Sequence, residues 1–224
     1  MNLHMPQDVE SESELLNLAA VPYQIISPAN NASIVGIFQD SLLGAYRITR
    51  DNINFNKRDA MNLLMNCNDI NVDLFAEEKD RINSFEILTQ ITPPLSVHHK
   101  NKQFKDSEDK EKSNNILDIK NGNYSRGQLD KSLLGSRSKG LLQRICNDFG
   151  NQQSAKYVDD LQNIVTDYMK VSSFSVGISD LISNKETKDK IVDIITKKKN
   201  DVKDLIDKLQ LGTFTNDTGK PTID

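Results

Sequence analysis

The sequence predicts an α+β fold, short strands and helices mixed along most of the chain and then a long helical tail. Three observations carry this. Residues 27–51, SPANNASIVGIFQDSLLGAYRITRD, read as a turn, a short apolar strand and then apolar residues at helical spacing. Lys120-Asn121-Gly122-Asn123 lies between the strand-like runs 116–119 and 124–129, as the turn of a hairpin does. Ile191, Ile194, Ile195, Val202, Leu205, Ile206 and Leu209 recur near heptad spacing within 186–209, as in one arm of a helical hairpin, ended by Gly212.

Taken in order, Ser11 and Glu14 have capping-box spacing, so a short helix burying Leu15, Leu16, Leu18 and Ala19 is expected, stopped at Val21-Pro22. Residues 23–26 are then extended. Pro28, Asn30 and Asn31 supply turn chemistry before a strand of Ile34, Val35, Ile37 and Phe38; Leu42, Leu43, Ala45 and Ile48 form a helix interrupted by Gly44. Between the two apolar runs sits the pair Gln39-Asp40, which either caps the helix or faces a site. A turn at 50–52 leads to a helix over 57–67 with Ala60, Met61, Leu63, Leu64 and Met65 inward, and 72–75 adds a small apolar patch. Phe85, Ile87, Leu88 and Ile91 predict a helix ended by Thr92-Pro93-Pro94. Residues 98–115 carry mixed charge and almost no apolar content, and read as a solvated surface loop. By itself Asp130-Lys131 reads as a solvated ion pair. Leu141, Leu142, Ile145 and Cys146 mark a helix ending near Gly150; Val158, Leu161, Ile164, Val165, Tyr168 and Met169 form the cleanest amphipathic stripe. Residues 174–182 form an apolar, turn-rich junction.

Composition narrows the function. The 224 residues suffice for a sizeable core, and a net charge of −4 gives no global field for nucleic acid. Cys67 and Cys146 form no CxxC pair and read as ordinary thiols in a reducing compartment. No apolar run approaches the roughly 20 residues that span a bilayer, so no membrane partner is expected. The start lacks the features of a signal peptide; MNLHMPQ reads like the exit from a strand, and Gly219-Lys220-Pro221-Thr222 like the turn into a further helix. Both ends are expected to be cut. Phosphate-binding loops, nucleophile elbows and HExxH are missing from the sequence. His98-His99 lacks companion ligands at metal spacing.

In their order and spacing, MNLHMPQ, SPANN, IFQDSLLGAYRITRD, ILTQITPPL, IKNGNYSRGQLDKSLLG, FGNQQSAKYVDDLQNIV and FSVGISDLI resemble the largest subunit of multisubunit DNA-directed RNA polymerase over essentially the whole chain. The wording SRGQLDKSLLG looks most like the versions of large nucleocytoplasmic DNA viruses. Residues 98–115 match no fixed family pattern, and Ser84-Phe85 stands where many relatives carry Trp or Tyr with a Gly-Lys pair. The resemblance implies that residues 1–26 end the active-site domain, 27–173 form the pore domain with 98–115 as a variable loop, and 174–224 begin the funnel, cut before its second hairpin helix. The implied function is that of a polymerase fragment. It walls the pore, or secondary channel, through which nucleoside triphosphates (NTPs) reach the active site and backtracked RNA leaves.

The implied site residues follow the motifs. Gln39 matches a glutamine close to the nucleotide, and Asp40 ties its loop down. Lys131 lines the pore as a cation for triphosphate or extruded RNA. Met1 and His4 lie just behind the metal loop, His4 as a packed, hydrogen-bonded side chain without a metal role. The magnesium ions of the full enzyme belong to an aspartate-rich NADFDGDE-type loop upstream of MNLH, so no cofactor and no activity are expected within this chain alone. Implied partners are the other polymerase subunits, the second-largest above all, with template DNA, the RNA transcript, NTPs and a transcript-cleavage factor at the funnel. The implied location is the virion or a cytoplasmic viral factory, or the nucleus for a cellular enzyme. The competing reading is a stand-alone, non-catalytic interaction module that uses the same surface; a third is a hydrolase using His98 or His99, against which replacing both histidines in the parental enzyme is expected to leave elongation unchanged.

Overall fold

In a computed structural model, residues 2–76 and 80–215 are described. The chain divides into two compact units, Met1–Ser173 and Phe174–Asp224.

The first unit opens with α1, Val9–Asn17, capped by Asp8 rather than by Ser11: the Asp8 carboxylate accepts the Ser11 N–H at 2.6 Å. The leucine face of α1 is not buried. Leu15, Leu16 and Leu18 stay at least half exposed, because no described element covers them. Val21–Gln24 is a 3₁₀ turn that takes in residues 23 and 24 of the segment 23–26 expected to be extended, with Pro22 in its first turn, where a missing N–H costs nothing. β1 (Ile26–Ser27) and β2 (Ala32–Ser33) pair antiparallel across the SPANN turn. The strand expected at 34–38 does not form; of that run only Ile37 is fully buried. α2 follows at Gln39–Ile48.

β3 (Asn54–Asn56) leads into α3 (Lys57–Leu64), whose cap is Asn56 accepting the Asp59 N–H at 2.8 Å. Ala60, Leu63 and Leu64 point inward as expected, but Met61 is 48% and Met65 74% exposed. Met65 falls past the end of a helix shorter than its apolar pattern. A four-residue α4, Asp73–Ala76, occupies the apolar patch. β4 (Arg81–Asn83) pairs with β3 and delivers α5 (Ser84–Ile91), where Asn83 and Glu86 form a reciprocal capping box.

A three-stranded antiparallel sheet, β5 (Val97–Lys100), β6 (Ile116–Lys120) and β7 (Asn123–Arg126), comes next, in that spatial order. Its β6–β7 hairpin turns at Asn121 (φ 47°) and Gly122 (φ 81°), as the sequence predicts. The expected 98–115 loop is shorter by one strand. His98, His99 and Lys100 belong to β5, with His99 opposite Leu117.

α6 (Lys131–Leu134), α7 (Leu141–Phe149) and α8 (Asn151–Ser172) complete the unit. α8 is its axis: Leu161, Ile164 and Val165 are wholly buried and it packs on α2, α3, α5 and α7. Gly44 does not interrupt α2. A methyl group there would meet Val165 Cγ1 at 2.4 Å, so the glycine is what lets α2 lie against α8. Burial also governs the ionisable side chains near this axis. It pushes the Cys67 thiol up to about 11, with the Asp160 carboxylate adding to the effect, and it raises Cys146 as well. Both cysteines are therefore protonated thiols at neutral pH, unsuited to nucleophilic work.

The second unit contains α9 (Ile178–Leu181) and α10 (Lys185–Gln210), the latter capped by Asn184 accepting the Thr187 N–H at 2.8 Å. The heptad-spaced stripe of α10 is present but no residue in it is buried. The turn expected at 219–222 lies outside the described residues. No helix of the described residues is long and apolar enough to cross a membrane.

Candidate functional site

Two stretches far apart in sequence, 31–49 and 127–143, are laced together. The Ile37 N–H donates to the Leu134 carbonyl at 2.9 Å, and the Ser136 hydroxyl to the Ile34 carbonyl at 3.0 Å. Gln143 Nε2 donates to the Asn31 carbonyl at 3.1 Å. At the far end of α2, the Leu129 N–H donates to Thr49 Oγ1 at 3.1 Å. Between these ties the structure brings the Gln39-Asp40 segment and the Lys131 segment onto one framework, so two of the sequence motifs become a single construction.

Gln39 is exposed and is the first residue of α2; Phe38 holds the cap position and makes no side-chain capping bond. The glutamine is therefore not an N-cap. Its backbone lies in the left-handed region, at φ 51°, where a non-glycine residue costs about 1–2 kcal/mol. This strain reverses an ordinary preference. At a normal helical position alanine is more stable than glycine by about 1 kcal/mol. Here Gln39→Gly is expected to be more stable than Gln39→Ala by about 1 kcal/mol in urea unfolding of the chain. The opposite order would show that the backbone at Gln39 is unstrained.

Asp40 is exposed and makes no side-chain hydrogen bond among the described residues, so it does not tie the loop down. Backbone and amide contacts from Ile34, Ile37 and Asn31 do that instead. Lys131 is exposed and forms no ion pair among the described residues; Asp130, expected as its partner, is turned inward as the cap of α6. The Asp130 carboxylate accepts the N–H groups of Ser132 at 2.9 Å and Leu133 at 3.2 Å. His4 is exposed, in an open groove beside Met5, Glu14 and Leu18, and is not the packed, hydrogen-bonded side chain expected, because no described element covers the groove between residues 4–6 and α1. Met1 lies outside the described residues.

Two contributors escaped the sequence reading. Thr49 is fully buried at the end of α2, and its local signal, a threonine four residues after Ala45 near a helix end, is common. His99 reaches Ser132 Oγ through Nε2 at 3.2 Å, a contact across 33 residues that no local pattern announces.

No three His, Cys, Asp or Glu side chains converge as a metal set among the described residues, so these residues do not fit a magnesium ion. A hydrolase that used His99 with Ser132 fails on the direction of one proton. The Ser132 hydroxyl donates to Asp130, so His99 must donate to Ser132 and cannot serve as its base.

Comparison with known proteins supplies the family. The model of RNA polymerase Rpb1, domain 3, matches residues 24–181. The chain is 28% identical over 199 residues to DNA-directed RNA polymerase subunit 1 of Acanthamoeba polyphaga mimivirus, covering 89% of this chain and 12% of the relative. It is 26% identical over 204 residues to the RNA polymerase II subunit RPB1-A of Trypanosoma brucei brucei, covering 90% and 11%. It is 28% identical over 223 residues to subunit Rpo1N of Methanococcus vannielii, covering 96% and 25%. The chain thus spans a quarter or less of the length of these relatives. The matched segment contains both laced motifs and the whole of the sheet between them, and with it this chain belongs to the RNA polymerase Rpb1 domain 3 family.

Proposed function

We propose that this chain is a segment of the largest subunit of a DNA-directed RNA polymerase and forms the wall of the pore through which NTPs reach the active site and backtracked RNA leaves. The supporting observation is the lacing of the Gln39 and Lys131 segments by the Ile37–Leu134 bond, which puts an exposed strained glutamine and an exposed lysine, without an ion pair among the described residues, on one framework. Residues 1–26 would end the active-site domain, 27–173 form the pore domain and 174–224 begin the funnel. Lys131 acts as a fixed positive charge: in a confined channel walled by low-dielectric protein it attracts a triphosphate or an RNA phosphate more strongly than in open water. Gln39 offers both an amide donor and an amide acceptor near the nucleotide.

Nucleotidyl transfer itself needs metal-bound chemistry, which magnesium on residues upstream of this chain would supply. By itself the chain is expected to make no RNA. Partners on this reading are the second-largest and other subunits, template DNA, the transcript, NTPs and a transcript-cleavage factor at the funnel. The location is that of the assembled enzyme: the virion or a cytoplasmic viral factory for a polymerase like the mimivirus relative, or the nucleus for one like the trypanosome relative.

The test is Lys131→Ala in the assembled polymerase. A rise in KM for NTPs, or a slowing of transcript cleavage after backtracking, of about 3- to 10-fold is expected, shrinking as salt screens the charge. Lys131→Arg should retain most of the activity. Unchanged rates at low salt would remove Lys131 from the channel.

A further inference from the structure

We propose that His99 is a positioning residue for Lys131, acting through Ser132 and Asp130; this rests on the channel reading of Lys131. α6 has only four residues, too few for a helix to hold its own direction in space. Its orientation must come from outside, and it is tied at both ends. The Leu134 carbonyl at its end accepts the Ile37 N–H. At its start, Asp130 accepts two backbone N–H groups and the Ser132 hydroxyl. With that hydroxyl proton committed, the lone pairs of Ser132 Oγ face outward and accept from His99 Nε2. His99 is itself fixed by β5, opposite Leu117, a wholly buried residue of β6. The chain His99–Ser132–Asp130 therefore bolts the start of α6 to a sheet.

The lysine stem also requires a glycine beside it. A Cβ on Gly135 would lie 2.6 Å from the Lys131 carbonyl oxygen and 3.3 Å from Lys131 Cγ. The side chain of Lys131 thus starts along a bare glycine, with no room for a competing side chain. Cutting the His99 tie removes the side-chain bond from the sheet to the start of α6, leaving the buried Leu133 and Leu134 and the Leu129–Thr49 and Ile37–Leu134 bonds to hold it, so its first turn is held more loosely. The ammonium group would then be spread over several directions instead of one. His99 contributes no charge and no proton to the reaction in this scheme; only its Nε2–H is used. That makes the scheme chemically specific: a side chain that keeps an N–H donor at similar reach should substitute, and an aromatic ring without one should not.

Two measurements separate this inference from the reading it rests on. In the 224-residue chain, His99→Phe should speed hydrogen exchange at the Ser132 and Leu133 amides roughly 5- to 10-fold while leaving the Gly122 amide of the hairpin unchanged; His99→Gln should exchange like the wild type. In the assembled polymerase, against the sequence expectation that replacing His98 and His99 leaves elongation unchanged, His99→Phe should raise KM for NTPs about 3-fold without lowering kcat, His99→Gln should not, and His99→Phe should add nothing on top of Lys131→Ala. Unchanged amide exchange in His99→Phe, equal damage by Phe and Gln, or full additivity with Lys131→Ala would each overturn the positioning role. A Lys131→Ala enzyme with normal kinetics, beside the expected exchange result, would instead overturn the channel reading alone.

Discussion

Gly127→Ala is expected to destabilise the first unit by more than about 3 kcal/mol, the largest effect of any single methyl group proposed for this chain. Gly127 follows β7 with φ 105°, a conformation that L side chains rarely adopt. A Cβ at this position would sit 2.2 Å from Leu117 Cα, 2.5 Å from the Ile116 carbonyl oxygen and 2.6 Å from the Leu117 N. All three atoms are backbone, so no rotamer change relieves the overlap; β6 itself has to move. The Gly127 N–H is also held by Asn114 Oδ1 at 2.9 Å, and its carbonyl accepts the Tyr124 hydroxyl at 2.5 Å, which pins the residue from two more sides. Gly150 is an internal control. It too has positive φ, 87°, but a Cβ there meets nothing within 4 Å, so Gly150→Ala should cost only the conformational penalty of about 1–3 kcal/mol. Comparison of the two variants by urea unfolding separates collision from strain. Equal losses would mean that Gly127 is not packed against β6.

The contrast between these glycines also marks what a sequence can reveal. Elements whose causes are local were legible: α5 has its capping residues beside its apolar stripe, the hairpin has Asn121-Gly122 at the turn, and α8 and α10 have long, regular periodicity. Several of the failures are cases where the cause lies elsewhere in the chain. His99 looks like part of a charged loop until β6 is there to pair with it. Asp130-Lys131 looks like an ion pair until the helix that needs Asp130 as a cap is seen to start at Lys131. The leucines of α1 and the methionines Met61 and Met65 follow a helical period, yet periodicity says which side is apolar and not whether anything covers it. The candidate site was legible by a different route, since Gln39 and Lys131 came from family motifs. Their coming together on one framework, and the strain at Gln39, could not have been read from either motif alone.

Thr49→Val is expected to cost about 1–3 kcal/mol even though it replaces a buried polar residue by a hydrophobic one of the same shape. Thr49 is fully buried. Its hydroxyl donates to the Ala45 carbonyl at 2.7 Å and accepts the Leu129 N–H at 3.1 Å, and its own carbonyl accepts Asn114 Nδ2 at 3.1 Å. Valine keeps the volume and the last of these bonds but removes the acceptor, leaving the N–H of Leu129, itself wholly buried, without a partner. The Ala45 carbonyl, one of the last four of α2, loses its hydroxyl donor too, so the penalty comes from both the Leu129 N–H and the Ala45 carbonyl. Thr49→Ser retains the hydroxyl and loses one methyl group, so its cost should be about 1 kcal/mol. The order Val worse than Ser is thus the signature of the hydrogen bond, and the reverse order would assign Thr49 to simple packing. The consequence reaches the site because Leu129 lies two residues before Lys131, while the Ile37–Leu134 bond holds the other side of α6. Loosening Leu129 should let the 127–131 segment shift against α2. In the assembled polymerase Thr49→Val should then raise KM for NTPs in the same direction as Lys131→Ala, and Thr49→Ser should not. A stable Thr49→Val protein with an unchanged KM would mean that the two motifs hold each other without this tie, and that the lacing acts only at the Ile37 end.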